Sequence, residues 1–154
     1  MSAKLAAELH QNKPFALPEE EALLNLIRTH EFLQQRQAGF FKRFQLTPTQ
    51  YNILRILRGA GKEGITCAHA SERMVTADPD ITRLLDRLEA RGLIRRERGS
   101  QDRRVVISRI TAEGLELIET IDEPLAEFLR RRMRRVGRKK LGQLIEILES
   151  IRED

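Results

Sequence analysis

Apolar positions recur at helical spacing along most of the chain and switch to alternation over one short stretch. Glu19, Glu20 and Glu21 form an acidic first turn, where the helix dipole favours negative charge, and Leu23, Leu24, Ile27 and Leu33 then predict a helix from Pro18 to about Phe44. The dozen residues before it lack a clear period and end at Pro14, so they read as an arm that is ordered only if something holds it. Thr47-Pro48-Thr49-Gln50 supplies an N-cap, a proline at the first helical position and a glutamine placed to complete a capping box. The second helix carries Ile53, Leu54, Ile56 and Leu57 and stops at Gly59 and Gly61. Thr66 caps a short third helix ending near Met74. After a break at Val75-Thr76-Ala77, a fourth helix from Asp78 to Arg91 turns Ile81, Leu84, Leu85 and Leu88 inward, and Gly92 closes it as a left-handed cap.

The period then changes. Leu93 to Arg98 and Arg104 to Ile110 flank Gly99-Ser100-Gln101-Asp102 and predict a hairpin. Thr111 caps a long fifth helix in which Pro124 should produce a kink, and Gly137 separates it from a last helix bearing Leu141, Leu144, Ile145, Leu148 and Ile151. Two short helices joined by a tight turn and followed by a ribbon are a winged helix-turn-helix. The expected fold is therefore mainly α with a small β-wing, flanked by N- and C-terminal dimerisation helices. Residues 1–46 form the arm and a dimerisation helix, 47–110 the winged helix-turn-helix, and 111–154 the C-terminal dimerisation helices of one compact domain.

Charge sharpens this picture. Lys and Arg number 28 against 23 Asp and Glu, a net charge of +5 that favours a polyanionic partner. A single cysteine, Cys67, cannot close an internal disulfide, and no basic start leads into an apolar signal core, so a cytoplasmic protein is expected. No apolar run approaches the roughly 20 residues needed to span a bilayer, and no membrane role is expected. His10, His30 and His69 are too scattered for a metal site; no metal and no cofactor is assigned.

A reading helix must bury one face on its own domain while the other enters a major groove about 12 Å wide. With the leucines inward, Pro79, Asp80, Thr82, Arg83, Asp86 and Arg87 lie on or beside the outward face. Arg83 and Arg87, one turn apart, can reach guanine edges or phosphates, and Thr82 can bond a phosphate or touch a thymine methyl. The same charges also fit a solvated face of i,i+3 and i,i+4 pairs. Thr66 and His69 are further DNA-facing candidates on the preceding helix. From Arg95 to Arg109 the hairpin holds six arginines against Glu97 and Asp102. Charged edge ribbons resist aggregation, but a nearly single-signed one beside a helix-turn-helix favours DNA. At the tip, Arg103 and Arg104 suit the negative potential of a minor groove. Asp102, two residues before Arg104 and so on the same side of the ribbon, is expected to brace its guanidinium.

The run Asp80-Ile81-Thr82-Arg83-Leu84-Leu85-Asp86-Arg87-Leu88-Glu89-Ala90-Arg91-Gly92-Leu93-Ile94, with Asp102-Arg103-Arg104 and Ile110-Thr111-Ala112-Glu113-Gly114, resembles the multiple-antibiotic-resistance regulator (MarR) family of bacterial winged-helix proteins. The resemblance covers nearly the whole chain from about Pro18. It implies a homodimer made by the first, fifth and sixth predicted helices, reading helices in successive major grooves and wing arginines in flanking minor grooves. It also implies regulation by a small-molecule effector or by oxidation, usually through a pocket between the dimerisation helices and the reader. His30, Phe41 and Phe44 are the candidate ligand-binding residues, although a packed core or dimer interface predicts the same side chains.

Three features depart from the family pattern. Family members commonly place Ser or Thr at the cap of the reading helix, whereas this chain has Ala77 and then Asp78-Pro79-Asp80; Asp78 is expected to cap it and Asp80 to sit near bases. The run Arg130 to Arg135, with Arg138, Lys139 and Lys140, is either a solvated surface offset by Glu149, Glu153 and Asp154 across a dimer, or a site for an acidic ligand or further DNA. Family oxidant sensors carry their cysteine in the first helix, and Cys67 instead opens the third, so an inert small residue is the favoured reading.

The expected function is a sequence-specific double-stranded DNA-binding transcriptional regulator, a ligand-responsive repressor acting as a homodimer on a pseudo-palindromic operator. The alternative is a helical protein–protein adaptor with a non-functional winged helix. No nucleophile with its base, metal cluster or phosphate loop supports an enzyme.

Overall fold

Capping side chains and prolines set where the helices of the computed structural model begin; it describes residues 3–78, 80–99 and 102–153. Two compact units divide at Tyr51/Asn52, inside a helix. In the first, α1 (Ala3–Glu8) precedes α2 (Pro18–Lys42), which opens on its proline. The N-terminal arm thus contains a helix that sequence periodicity did not reveal. What holds it is visible: Leu5 is buried, and the Glu8 carboxylate lies 3.9 Å from Lys4 and 3.8 Å from Arg28 of α2. Phe40 and Phe41 meet edge to face at 5.1 Å, and Phe41 lies 4.6 Å from Tyr51. The expected capping box is formed: Gln50 N–H donates to Thr47 Oγ1 at 3.1 Å and Thr47 N–H donates to Gln50 Oε1 at 3.0 Å. It starts α3 (Pro48–Ala60), which crosses the boundary.

In the second unit a single 3₁₀ turn (Gly61–Glu63) leads to β1 (Ile65–Thr66), α4 (Cys67–Glu72), α5 (Ile81–Ala90), β2 (Ile94–Arg98), β3 (Val106–Ile110), α6 (Ala112–Met133) and α7 (Arg138–Ser150). The hairpin expected from the alternation is β2–β3, and β1 adds a third antiparallel strand in the order β1-β3-β2. Two residues cannot show alternation, so β1 was hidden from the sequence pattern. Ile65 pairs with Ser108 and Arg96 with Ser108 from the other side, which buries Ser108 at the centre of the sheet. The apolar faces of α3 (Ile53, Leu54, Leu57), α5 (Leu84, Leu85, Leu88) and α6 (Ile118, Ile121) are buried in this unit. Burying each such side chain stabilises the fold by about 1.5 to 3 kcal/mol.

Thr111 caps α6 as expected, its Oγ1 accepting from Gly114 N–H at 3.1 Å. Gly114 itself has a steric reason: a Cβ there would collide with the Leu93 carbonyl oxygen and stand 2.7 Å from Ile110 Cγ1. Pro124 lies inside α6, where it removes one backbone donor from the ladder. Two residues earlier, Asp122 receives a two-pronged contact from Arg58 of α3, at 2.7 and 3.2 Å. Among the described residues, no helix is long and apolar enough to cross a membrane.

Candidate nucleic-acid interface

Thr66 Oγ1 accepts the His69 N–H at 3.2 Å and so starts α4; Thr66 and Cys67 are half-buried and His69 is exposed. The turn between α4 and α5 is fastened from α3, because Val75 N–H donates to Asn52 Oδ1 at 3.0 Å. Nothing in the local sequence announces that bond, since an asparagine inside a helical run carries no sign of its distant partner.

The cap of α5 corrects the sequence reading. Asp80, not Asp78, is the N-cap, and its side chain accepts from Arg83 N–H at 3.3 Å. Asp78 instead accepts from Asp80 N–H at 2.9 Å, which folds the chain into the cap, and the helix starts at Ile81 rather than Asp78. The second Asp80 oxygen lies 3.2 Å from Arg83 Nε, so Asp80 both caps the helix and holds an arginine. Thr82, Arg83, Asp86 and Arg87 are exposed opposite the buried leucines, as the periodicity required. Pro79 lies outside the described residues.

The wing holds the six arginines counted in the sequence. Its arginines are not uniformly free. Arg96 bonds Glu89 through both its backbone N–H and its Nε, each at 2.8 Å, and its terminal nitrogen reaches Asp86. These carboxylates raise the Arg96 pKa above its ordinary value, the Glu89 bond first, with partial burial opposing and Asp86 adding to it. Arg109 bonds Glu97 at 3.1 Å and the Lys62 carbonyl at 2.7 Å, and Arg95 lies 3.6 Å from Glu97. Arg95, Arg96 and Arg109 are therefore ion-paired, and fasten the ribbon to itself and to α5. The signal was available: Asp86 and Glu89, three apart on one helix face, match a strand arginine that follows shortly after.

At the tip, Gly99 N–H donates to Val105 O at 2.8 Å, and Arg98 donates to the Arg103 carbonyl at 3.3 Å. The expected Asp102–Arg104 side-chain brace is replaced by a backbone one: Asp102 Oδ1 accepts the Arg104 N–H at 2.8 Å, and among the described residues Asp102 forms no ion pair. A carboxylate two residues back from an N–H closes an Asx turn more readily than it reaches a long guanidinium. Arg103 and Arg104 remain exposed, without an ion pair among the described residues.

The candidate ligand-binding residues are not brought together. Phe41 is buried against Tyr51 and Phe44 lies 5.5 Å from Phe40, whereas His30 is exposed three turns earlier on α2 and contacts Gln34 at 3.2 Å. The cleft in this unit, about 550 Å³, lies instead between α1 and α2 and is lined by Lys4, Glu8, Arg28 and Phe32 among others.

A short helix pair whose second member exposes arginines, tied by Arg96 to a basic ribbon, defines the winged helix-turn-helix class. The comparisons with known proteins agree. The MarR family model matches residues 44–105. The HTH-type transcriptional regulator PapX of Escherichia coli is 30% identical over 113 residues, 72% of this chain and 69% of PapX. A MarR transcription factor from Planctomyces limnophilus is 36% identical, with a TM-score of 0.69 over 89% of this chain and 98% of that one. The S. aureus MepR–DNA complex shares the fold at 22% identity, with a TM-score of 0.73 over 84% and 94% of the two chains. The chain belongs to the MarR family and is a DNA-binding transcriptional regulator.

Proposed function

We propose that the chain acts as a homodimer on a pseudo-palindromic operator, as a cytoplasmic repressor released by a small-molecule effector. The observation that carries this reading is the clamp of Arg96 on Asp86 and Glu89, which ties the wing to α5. Rigid elements present charged groups to a groove at lower entropic cost than mobile ones. In this reading residues 47–110 are the reader. Arg83, Arg87 and Thr82 face the major groove, with Thr66 and His69 beside them, while Arg103 and Arg104 enter the flanking minor groove. Asp80 sets where the helix begins, and Asp102 sets the tip. The MepR–DNA complex supports the docking by likeness of fold.

The remaining segments, 1–46 and 111–154, make the dimer. On α2, Leu23 and Ile27 are each 57% exposed, and on α7 Ile145 and Ile147 are each 55% exposed. Apolar helix faces uncovered in one chain call for a second copy. Recovering genomic fragments bound by the purified protein tests the whole reading. Paired half-sites with centres about 10 base pairs apart, or slightly more, are expected. The logarithm of affinity should also fall linearly with the logarithm of salt concentration. Fragments without a repeated half-site, or affinity indifferent to salt, would refute it.

A further inference from the structure

The elbow between α6 and α7 concentrates charge that neither the fold nor the reading of DNA uses. Arg131, Arg132, Arg134 and Arg135 line one cleft of about 570 Å³ with Phe128 as its apolar wall. The Arg132 guanidinium lies 6.0 Å from the Phe128 ring centre. Arg131, Arg134 and Arg135 are exposed and form no ion pair among the described residues; in this stretch Arg130 pairs with Glu123 at 3.1 Å. Arg138, Lys139 and Lys140 follow immediately in the first turn of α7.

Some of these cations have a local explanation. Arg130, Arg131 and Arg132 sit in the last turn of α6, where the helix dipole attracts positive charge. The rest do not. The first turn of α7 holds no acidic residue, and its N-cap, Gly137, supplies no side chain to the free N–H groups. Like charges one turn apart repel, and a helix start beside them repels them further. A solvated face would intersperse acids, and residues 129–140 contain none. The size of the cleft falls within the range of small-molecule sites, and the planar forks of arginine match phosphate and carboxylate oxygens in pairs.

We propose that this cleft binds a compact small-molecule polyanion carrying two or more phosphate or carboxylate groups. Arg131 and Arg135 grip it by paired hydrogen bonds, Arg134 adds charge, and Phe128 with Arg132 forms the wall. The site lies on a segment distinct from α5 and the wing, so it does not depend on the proposed operator reading.

Thermal unfolding of the full chain with tripolyphosphate, at matched ionic strength, tests it. At a hundredfold excess over the dissociation constant the melting temperature should rise by about 5 °C or more, with little effect from chloride. Arg131→Gln with Arg135→Gln should weaken this binding at least tenfold, while Arg103→Gln with Arg104→Gln at the wing leaves it intact. If the double elbow variant fails to fold, each single variant must still weaken it. A shift lost in the wing variant and kept in the elbow variant would mean that polyanions bind only the reader. No shift in the parent, with a more stable elbow variant, would mean an ordinary repulsive patch. No shift, with a flatter salt dependence of DNA binding in the elbow variant, would make the cluster a DNA contact. Each of these three results overturns the proposal.

Discussion

At the scale of single residues, Asp80 ties two jobs together. It caps α5 and pairs with Arg83, the residue proposed to face the major groove. Arg83→Ala should leave the melting temperature nearly unchanged, since an exposed pair contributes about 0 to 1 kcal/mol. Operator binding should weaken by about 1 to 3 kcal/mol per lost contact, measured by anisotropy titration; equal binding would reverse the orientation assigned to this helix. Asp102 acts through the backbone, so its removal loosens the tip without freeing a partner charge. Asp102→Ala should weaken specific binding while leaving nonspecific binding equal or stronger, and Asp102→Asn, which keeps the Asx turn, should recover much of the specific affinity. Tighter operator binding by Asp102→Ala would make this carboxylate an incidental charge. The Gly114 position is a matter of space. Gly114→Ala should cost about 1 to 3 kcal/mol in denaturant unfolding because its methyl group meets the Leu93 carbonyl, and an unchanged midpoint would contradict that packing.

At the scale of elements, the clamp between β2 and α5 is the interaction to break. Arg96→Ala removes the side-chain bonds to Glu89 and Asp86, keeps the backbone N–H bond to Glu89, and leaves two carboxylates uncompensated beside the proposed reading face. Operator affinity should fall at least tenfold with a smaller loss of stability, and Arg96→Lys should restore only part, because an ammonium lacks the fork. Full recovery with lysine would show that charge alone matters. What sequence could and could not show divides along the same line. Caps at Thr47, Thr66 and Thr111, the leucine stripe of α5 and the hairpin are local, and short-range pattern carries them. The two-residue β1 and the Asn52–Val75 bond depend on segments far apart in sequence, where no period reports them. Of the two carboxylates before α5 the sequence pattern favoured Asp78 as the cap, whereas Asp80 caps the helix and Asp78 bonds the Asp80 N–H.

At the scale of the molecule, the exposed apolar residues of α7 are where the proposed dimer can be tested. Ile145→Glu should turn the proposed dimer into a monomer in sedimentation at micromolar concentration, with the reader still folded and operator binding severely reduced; an intact dimer would place the interface elsewhere. A second property follows from where Arg58 grips α6. Asp122 stands beside the proline-weakened point of that helix, and the remaining arm to Met133 is about 16 Å long at 1.5 Å per residue. The Arg58–Asp122 pair thus moors α6 to α3 two residues ahead of the proline that interrupts its hydrogen-bond ladder.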